Sequence, residues 1–180
     1  MLDDITALNK HFKLNDSRKL VEFHSGFLKL MNLRKWDQVF PDNVPNYAKM
    51  TEAYSNIGRA WCGVADGKPV CAFGIIPLWK TVGEIWMLTD VDLPLYGRTF
   101  HRVARGMFDI YIEELNVIRL QCTVHSRNFQ AIKWIKTMYF KEEGLLEKYG
   151  PDGHDFYMFA RLKNERNFGR RGKARETSRP

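Results

Sequence analysis

A chain of 180 residues with 44% hydrophobic and 13% aromatic content holds enough apolar material for one domain with its own core, which excludes an intrinsically disordered chain. The formal charge of +7 is uneven: residues 163–180 carry seven basic side chains against two acidic ones, so the excess is a tail behind a nearly neutral body. No apolar run reaches the roughly 18–20 residues that span a bilayer, and Met1-Leu-Asp-Asp-Ile has no basic segment leading into an apolar core, so neither a membrane partner nor a signal peptide is expected.

In chain order, His11-Phe-Lys-Leu reads as a short edge strand. Leu20, Phe23, Phe27, Leu30 and Met31 recur at three- and four-residue spacing, which predicts an amphipathic helix from Ser17 to about Leu33, capped by Asn15 or Asp16. Pro41-Asp-Asn-Val-Pro45 is a break, and a second helix runs from about Tyr47 to Ser55 and stops near Gly58. Two β-rich runs between Arg59 and Ile76 flank Asp66-Gly67, the pair that suits a two-residue hairpin turn. Pro77 to Gly83 connects to a strand over Glu84–Thr89. After the polar break Asp90–Arg98, Phe100, Val103, Ala104, Met107, Phe108, Tyr111 and Leu115 mark one face of a long helix.

The next stretch is a buried strand from Val117 to Val124. Ser126 or Asn128 caps a helix bearing Ala131, Ile132, Ile135 and Met138. From Glu142 to Arg161 two further strands are joined by a Gly150-Pro-Asp-Gly153 turn. The string of two helices, three strands, helix, strand, helix and two strands predicts an α/β domain over 1–162, a mixed sheet with helices on both faces, followed by a basic tail over 163–180. The tail reads either as an arm for nucleic acid or another acidic partner, or as a solvated end.

The three cysteines form no CxxC or Cys/His cluster, so no metal site is expected. A two-residue turn at Asp66-Gly67 would set Cys62 opposite Cys71, a pair that stays as thiols in a reducing compartment. His125, at a strand end, reads as a hydrogen-bonded structural histidine. No Ser/His/Asp grouping or P-loop is present.

The C-terminal half resembles the GNAT superfamily of acetyl-CoA-dependent N-acetyltransferases. Val124, Asn128, Ala131, Phe140, Glu143-Gly144, Tyr149-Gly150, Asp155, Tyr157 and Met158–Phe159 follow its motif order, and the likeness covers roughly Ala60 to Arg161. More narrowly, Gly83-x-Ile-Trp-Met-Leu-Thr-Asp90, Phe100-His-Arg and Asn128…Trp134-Ile-Lys are similar to acetyltransferase-like internal virion proteins of podovirus-type bacteriophages. The resemblance implies a mostly antiparallel sheet with a splay between two parallel strands, acetyl-CoA as cofactor, and an amine-bearing small molecule or protein as acceptor. It also implies a place in the host cytoplasm or virion, with other virion proteins or nucleic acid as possible partners of the tail.

By the same resemblance, Glu84 stands where some members place the general base. The backbone of Met87, Leu88 and Thr89, the stretch Gly97, Arg98, Thr99, His101 and Arg102, and Asn128 would hold the cofactor. Two positions depart from the pattern. Pro94 and a single glycine, Gly97, replace the glycine-rich phosphate loop. Ile135 stands where the family has the tyrosine that protonates the departing thiolate, which leaves Tyr139 as the substitute donor. An inactive virion or assembly protein on the same fold is the alternative reading.

Overall fold

The computed structural model describes residues 2–163. The basic tail expected from the sequence lies outside them, apart from Lys163. The elements are α1 (Ile5–His11), β1 (Arg18–Glu22), α2 (Val39–Asn43), α3 (Tyr47–Ile57), β2 (Arg59–Ala65), β3 (Lys68–Trp79), β4 (Val82–Thr89), α4 (Gly97–Glu114), β5 (Arg119–His125), α5 (Phe129–Thr137), β6 (Lys141–Leu146) and β7 (Phe156–Leu162), with 3₁₀ turns at Ser25–Leu30 and Leu93–Tyr96. The strands form one sheet in the order β1-β2-β3-β4-β5-β7-β6. Every neighbouring pair is antiparallel except β4 and β5. No helix among the described residues is long and apolar enough to cross a membrane.

The parallel pair is short. Only Val82, Gly83 and Glu84 pair, with Arg119, Leu120 and Gln121. Beyond that point β4 stays bonded to β3 as far as Thr89, and β5 stays bonded to β7 as far as His125. The two strands therefore diverge, and the facing edges of Ile85–Thr89 and Cys122–His125 carry backbone groups without ladder partners. The splay implied by the resemblance is present, with Glu84 and Gln121 at its apex.

The main core lies on the α4 side, where Met107, Phe108 and Tyr111 meet Phe73, Leu120 and Phe159, joined by Ile135 of α5 and Met138 just after it. Trp61 stacks on Tyr111 at 5.7 Å between centroids, a contact worth about 0.5–1.5 kcal/mol beyond area burial. A second cluster of Phe23, Met31 and Ala72, with Trp86 against it, lies on the opposite face, the α3 side. Alternation along β4 accordingly sends Ile85 and Met87 toward α4, and Glu84 and Trp86 toward α3.

Several sequence expectations are corrected. The helix expected over Ser17–Leu33 is β1 followed by a 3₁₀ turn. Leu20 and Phe23, placed on one helical stripe by their spacing, enter different clusters on the two sides of the sheet. Pairing of the whole of β1 with β2 overrides the periodicity. The edge strand expected at His11–Leu14 is the end of α1, whose Asp4 cap accepts the Ala7 N–H at 2.9 Å. Phe12 follows and is buried against Gly106 of α4, where a Cβ would stand 2.4 Å from its ring. The break at Pro41–Pro45 contains most of α2, and the connection expected at Pro77–Gly83 narrows to Lys80-Thr81, because β3 runs on to Trp79.

The Asp66-Gly67 turn is present, with φ of 48° and 81° at the two residues, the left-handed conformation that such a hairpin needs. A bulge between Gly63 and Val64 then shifts the register, so Cys71 faces Gly63 and Cys62 faces Ala72. The expected Cys62–Cys71 pair is therefore out of register. Both are free buried thiols, pushed up to about 12 by burial.

Candidate active site

A cavity of about 370 Å³ passes through the gap between β4 and β5. On the α4 side its walls include Met87, Leu93, Phe100, Phe108, Asn128, Ala131, Trp134 and Ile135. On the α3 side they include Trp36, Asp37, Phe40, Tyr47, Met50, Tyr54, Glu84, Trp86, Thr123 and Tyr149. Phe100 of α4 and Trp134 of α5 stack at 5.1 Å and form the floor of the first half.

Glu84 sits where the strands part. Its Oε2 accepts from the Gln121 side-chain amide at 3.1 Å, its only hydrogen bond among the described residues. Tyr149, from the loop between β6 and β7, lies beside it. Burial and then the Glu84 charge push the Tyr149 hydroxyl up, against a hydrogen bond with Thr123, so it stays protonated at neutral pH. A carboxylate and a protonated phenol thus flank one point of the gap.

Asn128 caps α5, with its Oδ1 accepting the Ala131 N–H at 3.1 Å, and it lines the cavity. Tyr96 precedes α4 without a side-chain cap, and the Gly97 N–H is returned to the Pro94 carbonyl. The remaining N–H groups of the first turn of an 18-residue helix are the natural anion-binding feature here.

Other candidates from the sequence lie elsewhere. Met87, Leu88, Thr89, Asn128 and Glu84 are together in the cavity wall, but Gly97, Arg98, Thr99 and His101 are on the outer first turn of α4 and do not line it. Thr99 borders a separate cavity of about 50 Å³ instead. The Arg102 guanidinium is turned toward α1, donating to the Phe12 carbonyl at 2.5 Å, and does not line the cavity. Tyr139 also lies outside the wall. Its hydroxyl accepts from Arg105 at 2.6 Å and its ring faces the Arg161 guanidinium, because the chain turns with φ of 67° as it leaves α5. It cannot serve as the donor expected from its sequence position.

The Thr89 backbone is already occupied. Its N–H donates to Asp37 Oδ2 at 3.0 Å, its hydroxyl donates to the same oxygen, and its carbonyl accepts the Arg34 N–H at 3.0 Å. Burial pushes the Asp37 carboxyl up, against those bonds and the nearby Arg34 charge. Residues 33–38 form a strap across the open end of the splay. Besides holding β4 at Thr89, the strap sends the Arg34 guanidinium to Gln130 of α5 and lays Trp36 on His125 at the end of β5, with centroids 4.4 Å apart. Sequence reading misses the strap because it ends a helix at about Leu33 and assigns no element to residues 34–40. It meets Tyr149 only as part of the family motif, as Tyr149-Gly150, although an aromatic residue beside Gly150-Pro-Asp-Gly153 was the available signal.

His125, Asp152 and His154 cluster at the mouth, their ligand atoms within 4.8 Å of one another. The Arg127 N–H donates to His125 Nδ1 at 3.1 Å, so a neutral ring carries its proton on Nε2. Nε2 lies 3.5 Å from Asp152 Oδ2 without a hydrogen bond, and a metal there would have to displace its proton. Burial pulls the His125 pKa down and outweighs the Asp152 charge. Burial raises the Asp152 carboxyl, but its hydrogen bonds from His154 and the two histidine charges prevail and hold it below the usual range.

A depressed histidine favours folding above its ordinary value and opposes it below. The His125 contribution should therefore be full above about pH 6.5 and fall away as the pH drops from there. Urea unfolding at pH 7.5 and 5.5 should show a smaller loss for His125→Phe than for the wild type; equal losses would exclude His125 as the source.

No protein-family model matches the sequence, and no curated protein matches it in sequence. Solved structures do match in shape. A probable acetyltransferase superposes with a TM-score of 0.66 at 15% identity, covering 84% of this chain and 96% of that one. A ribosomal-protein α-N-acetyltransferase solved with coenzyme A gives 0.63 at 14% identity over 84% and 97%. A variant of the spermidine N-acetyltransferase SpeG from Vibrio cholerae gives 0.60 at 16% over 88% and 99%. The strand order, the short parallel pair and these likenesses together identify the fold as that of the GNAT acetyltransferases.

Proposed function

We propose that the protein is an N-acetyltransferase that moves acetyl from acetyl-CoA to an amine. One observation carries this reading: the splay between β4 and β5 opens into a through-going cavity with a carboxylate, Glu84, at its apex. The groove fits the cofactor in kind. It offers strand edges without ladder partners before Thr89 for an amide-bearing arm, and the uncapped start of α4 lies beside Leu93 and Phe100 of the wall for a pyrophosphate. When bound, acetyl-CoA supplies an activated acyl group on a thiol leaving group.

Glu84 takes a proton from the incoming ammonium, directly or through water, so that the nitrogen lone pair is free to form the new C–N bond. As the C–S bond breaks, a proton must reach the departing sulfur. Tyr149, whose hydroxyl feels the Glu84 charge, is the donor assigned on this reading, since Ile135 cannot give a proton. Gln121 holds the Glu84 carboxylate toward the gap. The reading as a non-catalytic virion or assembly protein draws support from Ile135 and the altered phosphate loop, and the narrower phage likeness remains one of sequence only.

Binding is tested by melting. Acetyl-CoA at about a hundred times its Kd should add about 2.7 kcal/mol, or roughly 5–10 °C for a chain of this size. No shift at millimolar acetyl-CoA would remove the enzyme reading.

A further inference from the structure

We propose that the acceptor is a small primary monoamine carried on an aromatic body, an inference that rests on the acetyl-transfer reading and concerns the α3 half of the same cavity. Tyr47, Met50 and Tyr54 of α3 face this half together with Trp86 of β4 and Tyr149. The walls are thus ring faces and a thioether, surfaces that stack a flat apolar group and attract a cation to their π-faces.

The charge pattern is equally narrow. Glu84 is the carboxylate left available to a ligand, since its one hydrogen bond comes from a neutral amide. The other carboxylate of the wall, Asp37, is held by the N–H and hydroxyl of Thr89 at the far end of β4, five residues and about 16 Å along the strand. One ammonium therefore finds a counter-charge at the apex, and a second or third would be left among rings. An unpaired charge in such surroundings is strongly disfavoured, which sets this pocket against polyamines although one structural neighbour is a spermidine acetyltransferase.

The pocket is also roofed. Phe40 of α2 meets Tyr47 at 6.0 Å and Phe156 of β7 at 5.8 Å, and Phe156 meets Tyr149 at 5.7 Å. This chain of rings joins α2 and α3 to β7 over the α3 side of the gap. It narrows that side of the cavity, which favours a compact molecule over the length of a peptide.

The test uses the full chain with saturating acetyl-CoA and follows thiol release with phenethylamine, spermidine and a short peptide with a free α-amine. Phenethylamine should have a kcat/KM roughly a hundredfold above spermidine, the scale expected when a second charge goes unpaired. Calorimetry of phenethylamine without acetyl-CoA reads the pocket independently of transfer. Tyr54→Ala should weaken that binding about tenfold and Tyr54→Phe should restore it, with the acetyl-CoA melting shift unchanged in both. Spermidine or the peptide turning over as well as phenethylamine would overturn the proposal, as would an acetyl-CoA shift accompanied by neither binding nor turnover of the aromatic amine. Phenethylamine binding with no acetyl-CoA shift would instead remove the transfer reading and leave the pocket's preference standing.

Discussion

Replacing Glu84 with Gln should lower turnover by about 10²- to 10⁴-fold, the range that a positioned general base contributes, while leaving the protein as stable as the wild type. The substitution keeps the size of the side chain and an oxygen for the Gln121 amide, and it removes only the ability to accept a proton. Glu84 is partly exposed to the cavity and carries no ion pair among the described residues, so folding does not depend on its charge. The loss should appear in kcat with the acetyl-CoA melting shift retained, because Glu84 lies at the apex and the proposed phosphate end lies at α4. Thiol release measured beside a melting curve separates the two effects. Wild-type kcat in the variant would take Glu84 out of the mechanism and move attention to Asp37, the other carboxylate of the wall.

The second large effect concerns stability. Asp109→Ala should cost about 3–5 kcal/mol, the usual result of removing one partner from a buried ion pair. Arg161 of β7 is only 3% exposed, and its guanidinium donates to Asp109 Oδ1 from the middle of α4. The pair ties the helix to the strand that completes β5 on the side away from the gap. Without the carboxylate, the guanidinium loses this counter-charge in a place where little water can replace it. Urea unfolding should show a lower midpoint with an unchanged slope. A loss below about 1 kcal/mol would mean that other contacts of Arg161 carry its charge.

The legible part of the sequence was the part in which local pattern and tertiary role agree. β5, the Asn128 cap and α5 were readable because a β-branched run, a polar break and helical spacing occur in that order, and the core uses those same faces. The strand that carries Glu84 was legible from its pattern, and the family resemblance singled out the residue. The stretch from Ser17 to about Leu33 was not, because its apolar spacing fits a helix while its residues are divided between two sides of a sheet. Nothing local in the sequence tells Leu20 and Phe23 apart. Tyr139 failed for a related reason: a single left-handed residue at the end of α5 redirects the side chain, and a count along the helix cannot register that turn. Tyr149 and Asp37 enter the cavity from loops whose course is set by contacts remote in sequence, Asp37 with Thr89 and Tyr149 with Phe156.

The strap at residues 33–38 makes the protein its own competitor. Any ligand arm that uses the Thr89 backbone must exchange against Asp37 and Arg34, and any arm that crosses between β4 and α5 must exchange against the Arg34–Gln130 contact. Apparent affinity is then the intrinsic affinity scaled by the fraction of molecules whose strap has let go. Small ligands that fill only the α3 half are exempt from that exchange. On the proposed reading, the two ends of one cavity are therefore unequal in access: the α3 end stands open, and the end crossed by the strap is open only to a ligand that displaces it.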